Sequence, residues 1–316
     1  MRPWFAVPLV LAALAAPARA ADVTETDVSL KTATGVLWAT QAQPPSGVHG
    51  PVAVILAGSG PTDRNGDGPS IHPDTYKMLA AGLAAQSVTT FRTDKRGVGE
   101  SASAALSESD MRIQTDATDA RAWADEARAR TGAPCVWLIG HSEGALLAEL
   151  AAQNPAGICG LVLISGAGRK LGDVLREQLG GLPDPLKTKA YAFIAQLEAG
   201  HAVMETPPPQ LAPLFRPSVQ PYLISWLAID PVALLGAQKL PVLILQGDTD
   251  IQVGVGDAKR LAAAKPDAKL VILPGVNHIL KIAPADRAAN VATYGDPTLP
   301  LAPGIVDTIA GFLKSP

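Results

Sequence analysis

The feature that most restricts this chain is a series of short strand-type runs: Val52–Ala57 (VAVILA), Val88–Phe91 (VTTF), Val136–Ile139 (VWLI), Leu161–Ile164 (LVLI), Val242–Leu245 (VLIL) and Leu270–Leu273 (LVIL). Runs continuous in Val, Ile and Leu suit strands buried on both faces, as in a parallel sheet. Segments of helical composition separate them at Thr75–Gln86, Met111–Arg130, Gly144–Gln153 and Asp257–Ala264, with a last one at Ile305–Leu313. Such alternation implies βαβ units, so the expected class is α/β, with a mostly parallel doubly wound sheet covered by helices on both faces. Two β-type runs within residues 27–40 flank Thr34-Gly35 and read as an N-terminal β-hairpin. Residues 167–238 break the rhythm. They are far longer than an ordinary crossover, with helical stretches at Leu171–Leu179 and Leu186–Gly200 and then a proline-rich portion from Pro207 to Pro221. Long insertions at strand ends commonly serve as lids, and a helical lid is expected here.

The first twenty residues stand apart. Arg2 precedes an apolar run from Trp4 to Ala16, and the segment closes on Ala18-Arg19-Ala20, the pattern of a signal peptide. The run is shorter than the ~18 residues that cross a hydrocarbon core, which favours cleavage after Ala20 over a membrane anchor. A periplasmic or secreted protein is expected, with residues 21–316 as one domain and no membrane span after cleavage. The formal net charge is −3, and losing Arg2 and Arg19 makes the chain more acidic. No basic patch points to nucleic acid or to an anionic membrane surface.

Residues 139–150, IGHSEGALLAEL, contain G-x-S-x-G around Ser142. The motif follows the strand run VWLI and precedes a helix-forming run, the strand-to-helix turn that a nucleophilic serine requires. The glycines permit a sharp turn, and the helix starting behind Ser142 directs its first N–H groups at any oxyanion formed there. A serine hydroxyl needs a base to take its proton and a carboxylate to orient that base. In the order serine, acid, histidine, only His201 and His278 follow Ser142. His201 falls in the expected lid, whereas His278 in PGVNH directly follows the strand LVIL. One strand earlier, VLIL runs into QGDTDIQV, which supplies Asp250 as the acid and Asp248 as the alternative. Gly58-Ser59-Gly60 follows the strand VAVILA at once. The N–H of Ser59, with that of Glu143, is therefore the expected oxyanion pair. This chemistry calls for neither metal nor organic cofactor.

Together these residues resemble the α/β-hydrolase superfamily over nearly all of residues 21–316. GHSEG, AGSGPTDRNG, FRTDKRGVGES and GVNH each match a motif at its expected place, and the group they resemble is the bacterial serine esterases with an H-G-S-G-P-x-D-R-[DN] strand-end loop. The chain departs from them in having Ala57 where that histidine usually stands, a change that alters loop support while leaving the backbone donors. The resemblance implies hydrolysis of small-molecule carboxylic esters through an acyl-enzyme, with Ser142, His278 and Asp250 as triad and the Asp94–Ser101 loop as structural support. A serine peptidase or an acyltransferase is the alternative, and a non-catalytic binding protein a remote one. Asp63–Gly68 also matches the opening of a calcium loop, but a strand precedes it where a helix should, and a solvated turn is the expected reading.

Cys135 and Cys159 lie in no C-x-x-C metal or redox pattern. Each marks the amino end of a strand run, VWLI or LVLI, and consecutive strands joined by one crossover are usually neighbours. Their Cα atoms would then be about one strand spacing apart, ~4.8 Å, within disulfide range, and export supplies the oxidising compartment.

Overall fold

A computed structural model describes residues 23–315. The expected signal segment, residues 1–20, lies outside them.

The chain runs β1 (Thr24–Thr32), β2 (Gly35–Gln43), β3 (Val52–Leu56), α1 (Thr75–Ala85), β4 (Thr89–Thr93), α2 (Ile113–Thr131), β5 (Val136–His141), α3 (Glu143–Ala151) and β6 (Ile158–Ile164). It continues through α4 (Leu171–Leu179), α5 (Leu186–Glu198), α6 (Ala212–Phe215), α7 (Gln220–Leu227), α8 (Pro231–Gly236), β7 (Val242–Gly247), α9 (Val255–Ala264) and β8 (Lys269–Leu273) to α10 (Arg287–Ala292) and α11 (Ile305–Lys314). One eight-stranded sheet results, in the order β1-β2-β4-β3-β5-β6-β7-β8. The hairpin β1–β2 is antiparallel and joins β4 antiparallel, and every pair from β4 to β8 is parallel. The architecture is thus the α/β sheet that the apolar runs require.

Burial on both faces follows from the two-residue period of a strand. Val52, Val54 and Leu56 of β3 face one layer with α2 and α3, whereas Ala53 and Ile55 face the other with α1 and α11. Adjacent strand residues therefore serve two separate cores, which is why the run is continuous in apolar residues. Between β6 and β7 the helices α4 to α7 close around a third core that includes Phe193, Phe215, Leu197 and Leu227, whereas α8 returns to the first core through Leu235. Three of these helices are shorter and more proline-rich than helical composition alone would reveal. Pro213, Pro221 and Pro231 each stand in the first two positions of a helix, where a fixed φ fits and no N–H is needed. The proline-rich portion is helical in part, with Pro213 and Pro221 at helix starts and Pro207, Pro208, Pro209 and Pro217 in the connections between helices.

Cys135 and Cys159 form a disulfide with a Cα–Cα distance of 5.2 Å. The cause is the pairing of Val136 with Ile158 at the amino ends of β5 and β6, which brings the adjacent cysteines to one level. The closed loop spans a sequence separation of 24 and contains all of α3. Replacing both cysteines with serine should lower the unfolding free energy by about 3 kcal/mol on the chain-entropy account, read from urea midpoints. Unreduced, denatured protein should show no reactive thiol.

Candidate active site

Ser142 sits between β5 and α3 with φ 54° and ψ −118°, a conformation that costs a non-glycine residue roughly 1–3 kcal/mol. Packing around it enforces the turn. Its N–H donates to the Ile164 carbonyl at 2.8 Å, and its own carbonyl accepts from the Ala145 N–H at 3.0 Å. A Cβ on Gly140 would lie 2.1 Å from the Gly144 carbonyl oxygen, and one on Gly144 would lie 2.3 Å from that of Leu56. Only glycine at both positions lets α3 start so close to β3 and β5. The strained serine is left half-buried at the carboxyl edge of the sheet.

Sheet order places the crevice. From β3 the chain moves outward to β4, then returns across β3 to β5 and onward to β8. The loops after β3 and β5 therefore feed helices on opposite faces, α1 and α3, and the sheet opens between them. Ser59 and Ser142 line that opening together.

His278 arrives on the loop after β8, and its Nδ1 donates to Asp250 Oδ2 at 2.8 Å. A carboxylate can only accept, so Nδ1 carries the proton of this bond and, in the neutral ring, Nε2 is the nitrogen with the free lone pair. Asp250 Oδ1 accepts the N–H groups of Gln252 (2.8 Å) and Val253 (3.0 Å), and Oδ2 takes a further bond from Gln246 at 3.2 Å. Burial pushes the Asp250 carboxyl upward, but the charge and hydrogen bond of His278, with the two backbone donors, outweigh it and hold the group at about 2. Asp248 is occupied elsewhere, accepting the Gly275 N–H at 2.6 Å, and His201 is exposed beyond α5. Ser142, Ser59 and His278 line one cavity, and Glu143 joins Ser59 and Ser142 in a second. Among the described residues, no hydrogen bond joins the Ser142 and His278 side chains.

Two further residues were missed in the sequence, although one stands inside the G-H-S-E-G motif. Tyr76 of α1 accepts the Gly58 N–H at 3.0 Å, and its hydroxyl meets His141 Nδ1 at 2.8 Å. His141 Nε2 lies 2.8 Å from the His278 carbonyl oxygen. A carbonyl only accepts, so Nε2 bears the proton and Nδ1 accepts from Tyr76. One directed chain of bonds thus runs from the β3 loop through α1 and β5 to the histidine loop. Burial, reinforced by the neighbouring His278, pushes His141 down to about 3, so the relay stays neutral. Nothing in residue spacing announces this chain, because its members come from four separate segments.

The cavities differ in character. The first, about 260 Å³, is lined by Leu171, Val174, Leu175 and Leu179 of α4, Leu223 and Trp226 of α7, and Leu146 of α3. Arg169 also borders it, but its guanidinium is bound bidentately by Asp257 and paired with Glu177. The second, about 200 Å³, carries Thr62, Thr75, Tyr76 and Tyr294 beside His278. The Asp63–Gly68 turn lies nearby, with Asp63 Oδ1 accepting the N–H groups of Asn65 and Asp67 and Asp67 Oδ1 accepting that of Asp74. Its carboxylates serve their own backbone.

A strained serine at a strand-to-helix turn, an imidazole and a buried carboxylate thus stand together on the carboxyl edge of a mostly parallel sheet. Residues 48–293 match the model of the alpha/beta hydrolase family, and the chain belongs to that family. Its fold is shared with Est1E from Butyrivibrio proteoclasticus, solved with ferulic acid bound, at 19% identity and TM-score 0.61 over 91% of this chain and 96% of that one. It is also similar to 2-hydroxy-6-oxo-6-phenylhexa-2,4-dienoate hydrolase from Rhodococcus sp. strain RHA1, at 17% identity and TM-score 0.53 over 83% and 93% of the two chains. No curated protein sequence matches the chain.

The neutral His141 links stability to pH. Its folded pKa of about 3 lies below the ordinary 6.5, so as pH falls through that window the unfolded chain takes up a proton that the folded chain refuses. Stability from this group is complete above pH 6.5 and is lost on acidification towards 3. His141→Gln should remove that contribution. Between about pH 7 and about pH 4 the wild type should lose a few kcal/mol more than the variant, measured by urea unfolding.

Proposed function

We propose that the protein is a serine hydrolase of carboxylic esters acting through an acyl-enzyme. The observation that carries this reading is the Asp250–His278 hydrogen bond behind a cavity that His278 shares with the strained Ser142. In the proposed reaction Ser142 Oγ attacks the ester carbonyl carbon while His278 Nε2 takes its proton. The carbonyl oxygen, now negative, is met by the N–H groups of Ser59 and Glu143. Collapse expels the alcohol, which receives the proton from His278, and water repeats the sequence to release the acid. Asp250 stabilises the imidazolium that forms in each half. This mechanism routes no step through a metal or cofactor.

The same proton path orients the substrate. His278 must reach the leaving oxygen, so the alcohol occupies the hydroxyl-bearing cavity that His278 lines, and the acyl group occupies the apolar cavity under α4 and α7. On this reading α4 to α8 are a lid that supplies acyl specificity. The preferred substrate is an ester of an apolar acid with a small polar alcohol. Export is part of the proposal. It is supported by the charged, apolar and small-residue pattern of residues 1–20 and by the disulfide, which persists in oxidising compartments. Among the described residues no helix is long and apolar enough to cross a membrane.

Ser142→Ala and His278→Ala should each lower kcat on p-nitrophenyl butyrate by about 10⁶-fold, and Asp250→Asn by about 10⁴-fold, because such groups act as a unit. Retained activity in Ser142→Ala would end the proposal. A parallel panel of esters, thioesters and aminoacyl amides separates it from a peptidase or an acyltransferase, since only an esterase should favour the esters with water as acceptor. Val174→Phe, which narrows the apolar cavity, should shift preference towards shorter acyl chains in a p-nitrophenyl ester series. An unchanged series would place the acyl group elsewhere.

A further inference from the structure

We infer that Lys95 is a positioning residue that sets the oxyanion hole, holding the two strand ends that carry its donors. This goes beyond the esterase reading and rests on it, since it takes the Ser59 and Glu143 N–H groups as the donors. Strand order makes the arrangement available. β4, β3 and β5 are consecutive parallel neighbours, and Lys95, Gly58 and Glu143 each stand two residues past the end of one of them. Three residues at one level of the sheet edge therefore lie in a row. Lys95 reaches across from the β4 side, with its Nζ donating to the Gly58 carbonyl at 2.6 Å and to Glu143 Oε1 at 3.2 Å.

The geometry of one peptide bond turns this contact into a constraint on the hole. Gly58–Ser59 is a trans peptide, the single cis bond among the described residues being Asp184–Pro185. In a planar trans unit the C=O and N–H point in opposite directions. Fixing the Gly58 carbonyl on Lys95 thus fixes the direction of the Ser59 N–H, which points away from Lys95. The preceding peptide is held as well, because the Gly58 N–H donates to Tyr76. Both peptide planes flanking a residue with no Cβ are pinned, and the freedom that glycine would otherwise give this loop is removed. The bond to Glu143, whose side chain is only 2% exposed, ties the first turn of α3 to the same ammonium. One side chain so holds both walls. Lys95 touches no reacting atom in this scheme. Its contribution is donor alignment for the tetrahedral state, a state in which a fixed N–H is worth more than in the ground state.

The competing role for Lys95 is neutralising a buried carboxylate, and a pair of variants separates the two. Lys95→Met removes both bonds and leaves Glu143 unpaired. The double variant Lys95→Met/Glu143→Gln removes the ammonium together with the carboxylate bonded to it, and Asp116, the other buried carboxyl that Lys95 faces, is already pushed up to about 6 by burial and takes a proton more readily once the ammonium is gone. Each would be assayed with p-nitrophenyl butyrate for kcat and KM, and with phenylboronic acid, whose tetrahedral adduct on the serine places an oxygen in the hole. Folding would be checked by circular dichroism. The expected result is a loss of about 10- to 100-fold in kcat in both variants, with KM changed less than about threefold and a matching loss of boronic acid affinity. A double variant with wild-type kcat would overturn the inference and leave Lys95 as a counter-charge alone. So would a fall in kcat with boronic acid affinity unchanged. An active Ser142→Ala would instead sink the esterase reading itself.

Discussion

The left-handed backbone at Ser142 is the constraint on which the rest of the site depends. A non-glycine residue keeps φ 54° only if its surroundings leave no alternative, and here the surroundings are the backbone itself. Gly140 lies against the Gly144 carbonyl and Gly144 against that of Leu56, so β3, β5 and α3 meet at distances that exclude any side chain. Because β5 is central in the sheet and buried along its whole length, the strain is held by the most secure part of the fold. The disulfide closes the loop containing this turn from the opposite, amino-terminal edge of the same strands.

Around the turn, polar groups are buried in a network that fixes their donor and acceptor roles. His141 is fully committed as a neutral bridge, since one nitrogen faces a carbonyl and the other a hydroxyl. His278, a short distance away, has a carboxylate on one nitrogen. Two histidines in tilted contact, with ring centroids 4.7 Å apart, therefore meet opposite electrostatic surroundings. The difference is set by what each ring faces, a neutral relay in one case and Asp250 in the other. Gly58 gathers the contacts of Tyr76 and Lys95 on its two flanking peptides. Next to Ala57, side chains from α1 and from just past the end of β4 hold the loop.

The inserted helices show where local reading stops. Leu171–Leu179 has one apolar face and ends where its pattern ends, so it is legible from residues alone. The segment around Pro213, Pro221 and Pro231 reads as irregular because proline is disfavoured within helices, and only the three-dimensional structure places these prolines at helix starts. The short α10 was equally hidden. Its start is capped by Asp286, and it is pinned by the buried Asn290, which donates to Thr249 and Pro284. The bond to Thr249 reaches a distant segment, and none of these contacts leaves a periodic trace.

What the sequence by itself determined is the part set by local chemistry. Apolar runs that must be buried on both sides dictated a parallel sheet. Gly140-His141-Ser142-Glu143-Gly144 between a strand and a helix marked the turn, and strand-end position made His278, not His201, the expected base. Local pattern could not choose between Asp248 and Asp250 by any physical test, since both follow the same strand and both can accept hydrogen bonds. The tertiary structure turns Asp250 towards His278 and Asp248 towards the Gly275 N–H. It alone also put β3 between β4 and β5, which opens the crevice at the serine and lines up Lys95, Gly58 and Glu143. Strand order is a property of the whole chain's packing, and hydrogen bonds between residues far apart in sequence follow from it.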